Sequence, residues 1–386
     1  MKKSNINNMD VKRFNRNKLF RCVNRNGRLS RTEIVEKLGM SLPTVLSLLG
    51  ELAQMGLVRE AGKLESTGGR KAAAIMPVHD ARFAVGLDIT AHHVSFALTD
   101  LSAQVLKHVR VIQNFEMSPQ YIADVAGKLE DFIQEAKVPK QKILGVGVSI
   151  PGIVDIGNSN ILVSHALGIS DVGFEYFSRH IPYRCSFIND ANAAAFAEIF
   201  DLDSNLTAIL FSLSNTVGGA IINKAVGIEA GGGVGSHLIL GDNWKGGEIG
   251  HMTLFPGGIP CYCGKIGCFD AYCSAKVLSQ HTGGTLEAFF EQLAEGNSRL
   301  AAVWDTYLGH LAIMLNNIRM LQDCSIIIGG YVGRFMEPYI ELLSEKVKRL
   351  NTFRETANFI KICNYRVEAS AFGAALLFIE DFMESV

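Results

Sequence analysis

The 386-residue sequence predicts an α/β protein with a small, basic winged helix-turn-helix at its N-terminus. Three observations predict it. Residues 30–55 carry two helical patterns joined by a glycine turn. Residues 83–150 read as three strands, a helix and a strand. Glu248 to Cys273, EIGHMTLFPGGIPCYCGKIGCFDAYC, sets a histidine and a tight group of cysteines among glycines and prolines.

Composition sets the frame. With 48% hydrophobic and 19% charged residues, the chain can bury a sizeable core. No apolar run reaches the roughly 18 residues of a membrane span, so no membrane partner is expected. The start, MKKSNINN, has no apolar segment after its lysines, unlike a secretory leader. Eight cysteines in a chain this long fit a reducing cytoplasm better than a disulfide framework. Residues 1–80 hold fifteen Lys/Arg against seven Asp/Glu, a net of +8, and the remainder is −9. A cationic head on an acidic body suits a polyanionic partner.

The head is expected over 1–76, with 77–82 as linker and residues 1–12 as a polar start. Arg13 to Asn24 reads as a helix with Leu19, Phe20 and Val23 on its apolar side. Ser30 and Glu33 form a capping box that opens a second helix. Gly39-Met40-Ser41 makes the turn, and a third helix runs from about Leu42 to Met55, with Pro43 tolerated in its first turn. Val45, Leu48, Leu49 and Leu52 make its buried stripe; Ser41, Thr44 and Ser47 fall opposite, small and polar. This is a recognition helix with side chains short enough to approach base edges, flanked by phosphate-binding Arg31. Leu57-Val58-Arg59 and Ala73-Ala74-Ile75 can pair as a wing. Between them Gly68-Gly69-Arg70-Lys71 is thin and cationic, suited to a minor groove. Ser41, Thr44, Ser47, Arg31, Arg70 and Lys71 are the expected DNA contacts, and the partner is operator DNA.

The body, 83–386, is expected to place strands at Phe83–Asp88, Val94–Thr99, Val105–Val111 and Ile143–Ile150, with a helix over about Pro119–Ala136. Phe187-Ile188-Asn189-Asp190 reads as a strand ending in an Asn-Asp pair before an alanine-rich helix. An acid at the carboxyl end of a strand can accept a proton from a sugar hydroxyl, and it can equally cap the helix that follows. Further on, Thr207–Leu213, Gly218–Asn223 and Ser325–Ile328 read as strands, and about Arg299–Leu321 and Glu337–Leu350 as helices.

His251, Cys261, Cys263 and Cys268 form a Cys3His set, a complete tetrahedral zinc shell with no open position. That argues for a structural ion. Gly264 and Gly267 let the backbone wrap it. Glu-x-x-His followed by Cys-x-Cys-Gly-x-x-Gly-Cys and an acid, here Glu248, His251, Cys261, Cys263, Gly264, Gly267, Cys268 and Asp270, resembles the signature of the ROK family (repressors, open reading frames, kinases). The block from Ser30 to Lys71 is similar to the head of its repressors, of the type that answers N-acetylglucosamine or xylose; its kinases lack such a head.

The resemblance implies a two-lobed actin-like ATPase (ribonuclease H-like) fold. The first lobe would span about 83–190 plus a C-terminal helix over 369–382 that crosses back. The second would span about 191–365, with the zinc loop at 251–268. It implies a sugar site of Gly152, Asn189, Asp190, Glu248, His251 and Asp270, in which Asp190 would be the catalytic base if kinase activity were kept. The family more often has Glu where Asp270 stands. The phosphate turns depart from the kinase pattern. Asp88-Ile89-Thr90-Ala91-His92 stands for Asp-x-Gly-Gly-Thr, and Ser214-Asn215-Thr216-Val217-Gly218-Gly219 has lost two glycines that backbone amides need to approach phosphate. Gly231-Gly232-Gly233 lacks the following lysine of a nucleotide loop. ATP is therefore not expected. The expectation is a cytoplasmic repressor, a homodimer or homotetramer, released from its operator by a sugar or sugar phosphate that His251 senses through the zinc loop. The alternative is an active ATP-dependent ROK sugar kinase of glucokinase or N-acetylhexosamine kinase type.

Overall fold

The computed structural model describes residues 8–63, 73–200, 207–223, 237–353 and 357–386. Arg70, Lys71 and the Gly231–Gly233 run lie outside them. The head has helices Asn8–Asn26, Arg31–Leu38 and Leu42–Gln54. Ser30 Oγ accepts the Glu33 amide at 3.1 Å and Glu33 returns a carboxylate to the Ser30 amide at 2.7 Å, so the capping box is closed. Gly39 ends the second helix at φ +63°, a left-handed position that glycine takes without strain. Val45, Leu48, Leu49 and Leu52 bury against Leu19, Phe20 and Val23 of the first helix. The wing pairs Val58–Lys63 with Ala73–Pro77, and a two-residue strand, Leu29–Ser30, adds to its other edge.

The first helix starts earlier than its apolar pattern suggests, at Asn8, and it is anchored on the body from Arg16 onward. Arg21 grips Glu380 of the C-terminal helix with two bonds of 3.0 and 2.7 Å. Asn24 donates to the Leu101 carbonyl at 2.6 Å, and Arg16 and Asn17 reach the carbonyls of Val386 and Met383. Residues 77–82, read as a linker, hold a 3-10 turn, His79–Ala81, with Ala81 buried in a core that runs from head into body.

The first-lobe sheet has the order Cys185–Asn189, Ile143–Ile150, Phe83–Ile89, His93–Asp100, Lys107–Ile112. Helix Pro119–Glu135 packs its apolar face, with Leu129 and Phe132, over one side. The C-terminal helix, Ala369–Ser385, covers the other side at backbone distance. A Cβ on Gly86 would lie 1.6 Å from the Ala371 carbonyl oxygen, and one on Gly147 would lie 1.9 Å from that of Ala374. Ile153–Asp155, Asn160–Ser164 and Ile169–Gly173 form a small antiparallel sheet that the sequence pattern did not announce. The second lobe orders Val217–Asn223, Thr207–Leu213, Ser325–Gly329, Ile360–Ile362. Helices Ser298–Leu321 and Ile340–Leu350 pack on it. Helix Asp190–Ile199 runs between the lobes: Gly373 meets its Ala193 carbonyl, and its buried Glu198 accepts the Asn364 and Tyr365 amides at 3.0 and 2.9 Å. Among the described residues, no helix is long and apolar enough to cross a membrane.

Gly86→Val should destabilise the body by about 3 kcal/mol, because the contacting atom is backbone and cannot rotate away. Gly50→Ala, in an exposed helix position with nothing within 4 Å, should be neutral or stabilising by up to about 1 kcal/mol. Urea melts of the two variants check the contrast.

Candidate functional site

The cleft opens where the parallel strands Ile143–Ile150 and Cys185–Asn189 end, the usual place for a ligand in such a sheet. Asn189, not Asp190, is the N-cap of the following helix: its Oδ1 accepts the Asn192 amide at 3.0 Å. Its Nδ2 donates to the Gly152 carbonyl at 2.9 Å and to Asp190 Oδ1 at 3.1 Å. Gly152 has φ +127°, and a Cβ there would sit 2.3 Å from the Val163 carbonyl, so only glycine fits. Gly152, Asn189 and Glu248 share one cavity wall, with Asp190 next to Asn189 and His251 Nε2 4.0 Å from Glu248.

Asp270 is drawn elsewhere. Its buried carboxylate accepts the Val217 amide, so it holds the 214–219 turn against the cysteine loop. Burial pushes its pKa up to about 6.

Of the three acids near the cleft, Asp88 is buried, Asp190 is half-buried and Glu248 stays exposed. Burial, then the neighbouring charge of Asp190, pushes Asp88 up to about 7, although Ser149 Oγ donates to it at 2.8 Å. Asp190 is raised by burial, offset in part by the Ala191 amide, and Glu248 by burial and then Asp190. Each of these carboxyls holds its proton more tightly than in water.

His251, Cys261, Cys263 and Cys268 offer ligand atoms that all lie within 4.8 Å of one another. Cys263 and Cys268 Sγ are 3.7 Å apart, and Cys261 Sγ is 3.9 Å from His251 Nδ1. Bonds of about 2.3 Å at a tetrahedral angle put ligand sulfurs about 3.8 Å apart, so the set fits one ion. Gly264 and Gly267 take φ +87° and +82° to close the loop. His251 therefore faces two ways, with Nδ1 to the thiols and Nε2 to Glu248. Tyr262 and His165 pack around its ring, at 5.4 and 6.4 Å between centroids. Neither was legible in the sequence, because a loop tyrosine and an exposed histidine carry no periodicity.

The turn after the strand Phe83–Ile89, where the kinase pattern has a phosphate loop, bonds to itself. Thr90 Oγ1 and amide both bond His93, closing the turn on itself. Arg110 of the first lobe donates to Tyr331 Oη of the second at 2.6 Å and lies 4.7 Å over its ring. Gly330, at φ +76°, packs against Leu213 and Ser214.

On the head, Ser41, Thr44 and Ser47 are exposed as expected, together with Leu42 and Leu46, which the polar reading of that face passed over. Ser41 caps the helix and bonds Thr44 Oγ1 at 2.8 Å. Arg31 is already paired with Glu60 of the wing.

A two-lobed α/β body of actin-like ATPase fold, with a winged helix-turn-helix head, is the class these features define. The chain belongs to the ROK family, whose sequence profile matches residues 84–381; that of winged helix-turn-helix DNA-binding matches residues 15–59. It is 30% identical over 275 residues to the xylose repressor of Bacillus spizizenii, covering 69% of this chain and 67% of that one. To the transcriptional dual regulator NagC of Escherichia coli it is 24% identical, covering 74% and 69%. Among solved structures, a ROK family transcriptional regulator described as a homologue of the E. coli MLC protein aligns over 97% of both chains, with a TM-score of 0.74 at 17% identity. The ROK hexokinase of Thermus thermophilus aligns over 76% of this chain and 97% of its own, with a TM-score of 0.59 at 24% identity.

Asp88→Asn keeps the acceptor for Ser149 and removes the titration. An acid raised from 3.8 to about 7 binds a proton in the folded state that the unfolded chain has lost, so wild-type stability falls as pH climbs through that window. The variant should therefore melt higher than wild type by a margin that grows from pH 5 to pH 8, towards a bound of about 4 kcal/mol. A margin that shrinks with pH would refute the assignment.

Proposed function

We propose that this chain is a sugar-responsive repressor of carbohydrate-use genes, which leaves its operator when a sugar or sugar phosphate closes the cleft. One observation carries the reading: a winged helix-turn-helix is fastened to a kinase-like body in which Gly152, Asn189 and Glu248 line one cavity, while Thr90 closes its own turn on His93 and Arg110 bonds Tyr331 across the lobes. The names of the relatives support it, since both the xylose repressor and NagC are regulators.

In this reading Gly152, Asn189, Asp190, Glu248 and His251 bond the sugar hydroxyls. Asn189 must exchange its present bonds, and Asp270 positions the 214–219 turn or joins the cradle after closure. Zinc, held by His251, Cys261, Cys263 and Cys268, would supply a rigid cross-link for a loop with little core of its own. With Nδ1 so engaged, the His251 proton sits on Nε2 and is donated towards Glu248 or a hydroxyl.

The route to the head is the C-terminal helix. Leu377 and Asp381 line the cleft cavity, and one turn away Glu380 is held by Arg21. On DNA, Ser41, Thr44 and Ser47 would face base edges, Leu42 and Leu46 would meet thymine methyls, Arg31 would leave Glu60 for a phosphate, and Arg70 and Lys71 would reach the minor groove. A cytoplasmic dimer or tetramer fits a palindromic operator.

An active sugar kinase is the second reading, favoured by Asp190 standing where a base would stand. Phosphorylation of glucose or N-acetylglucosamine by ATP would establish it.

The decisive experiment titrates the purified protein against DNA upstream of its own gene, with and without sugars and sugar phosphates. Tight, salt-sensitive binding released by one ligand is expected; no specific binding under any condition removes the reading. Thr44→Ala with Ser47→Ala should weaken operator binding about tenfold, in line with one lost base contact of 1–3 kcal/mol, without moving the melting temperature. Cys263→Ala should drop bound zinc from one per chain to near none and lower the melting temperature. A stable, zinc-free variant with unchanged sugar response would remove the structural role.

A further inference from the structure

The cleft cavity, about 210 Å³ in all, has acids in its wall and, among the described residues, no lysine, arginine or histidine. Glu248 and Asp381 line it, and Asp190 stands beside the lining Asn189, whose Nδ2 donates to its Oδ1 at 3.1 Å. Bases nearby serve these carboxylates from outside the wall. His251 Nε2 is 4.0 Å from Glu248, Lys245 is exposed and offsets the same carboxylate, and Arg184 is 3.4 Å from Asp381. Arg110, between the lobes, is bonded to Tyr331. Backbone amides are the other means of holding a phosphate, at a helix N-terminus or a glycine turn. Here the chain spends several on itself. Asn189 and Asp190 take the Asn192 and Ala191 amides of the helix that opens at the cleft, at 3.0 and 2.9 Å. The His93 carbonyl takes the Thr90 amide at 2.9 Å, and Asp270 takes that of Val217. What the wall offers is acceptors: two carboxylates, and Asn192, 8% exposed, whose amide oxygen has no partner.

We propose that the effector is an unphosphorylated sugar, recognised through its hydroxyl donors, and that the cleft turns away the phosphate esters of that same sugar. This rests on the sugar-binding reading of the cleft and decides between its two ligand classes. A phosphate ester brings about two negative charges and three acceptor oxygens at neutral pH. Beside an ionised carboxylate it is repelled, and a protonated one gives it a single donor and no charge. Sugar hydroxyls both donate and accept, so they satisfy Glu248, Asp381 and Asn192 without importing charge.

The test uses the full-length protein with D-glucose, D-mannose and N-acetyl-D-glucosamine against their 6-phosphates, D-xylose against its 1-phosphate, and inorganic phosphate as an anion control. Affinities come from calorimetry. Tryptophan emission adds a local readout, because Trp244 lines the cavity and the chain's other tryptophan, Trp304, lies in the second-lobe core. At least one sugar should bind about tenfold or more tightly than its own phosphate ester and shift the emission. That ratio should shrink at least about threefold in Glu248→Gln and in Asp381→Lys. It should also shrink between about 0.01 and 1 M salt, as the Debye length falls from about 30 to about 3 Å. Each variant is judged by the ratio of a sugar to its ester, so a general loss of affinity does not mimic the effect. Esters that match or outbind their parent sugars, competition by inorganic phosphate, or a ratio unmoved by both substitutions and by salt would each overturn the proposal while the sugar reading stands. No binding of any sugar or ester would overturn both.

Discussion

The close seating of the C-terminal helix on the first-lobe sheet is the contact on which the rest of the molecule depends. Gly86 and Gly147 bring strand backbone against helix backbone at Ala371 and Ala374, and Gly373 does the same for the Asp190–Ile199 helix. Three glycines surrender side-chain burial so that three elements can meet at distances no Cβ allows. The return is geometric. The Asn189–Asp190 turn is fixed against the sheet, Leu377 is brought into the cleft, and Glu380 is left facing Arg21 of the head. A buried, bidentate arginine–glutamate pair contributes little net stability, but losing one partner strands a charge, at a cost of about 3–5 kcal/mol. Its two bonds hold the first helix of the head on the C-terminal helix.

The two halves of the cleft are built differently. Phosphoryl transfer needs open glycine turns that offer amides to phosphate. Here the first turn spends its amide and hydroxyl on His93, and the lobes meet through Arg110 and Tyr331. Asp190 and Glu248 stand by the Gly152–Asn189 wall and Asp88 opens the phosphate turn, and all three carboxyls are raised, first of all by desolvation. His251 joins this half to the cysteine loop through its two nitrogens.

Local chemistry made the head legible. A capping box, a left-handed glycine and a stripe at helical spacing are each decided within a few residues, so the second and third helices fall where the pattern puts them. The first-lobe strands and helix also match, because alternation and amphipathicity report burial directly. The small sheet over 153–173 was missed: its strands are three to five residues long and half-exposed, too short for a period to register. Tyr262 and His165 were missed because their loops carry no pattern, and their meaning comes from the His251 ring they pack around.

By itself the sequence determined the fold class, the Cys3His set and the acids of the cleft, since these rest on residue type and short spacing. The tertiary structure alone decided which group does what. It made Asn189 the helix cap, although the sequence offered Asp190, because the helix already begins at Asp190. It turned Asp270 onto the Val217 amide, and it docked the head on a helix 359 residues away in sequence from its Arg21 anchor. Contacts between distant segments are settled by packing volume and by where backbone can approach backbone. A single chain of letters does not carry either until it is folded.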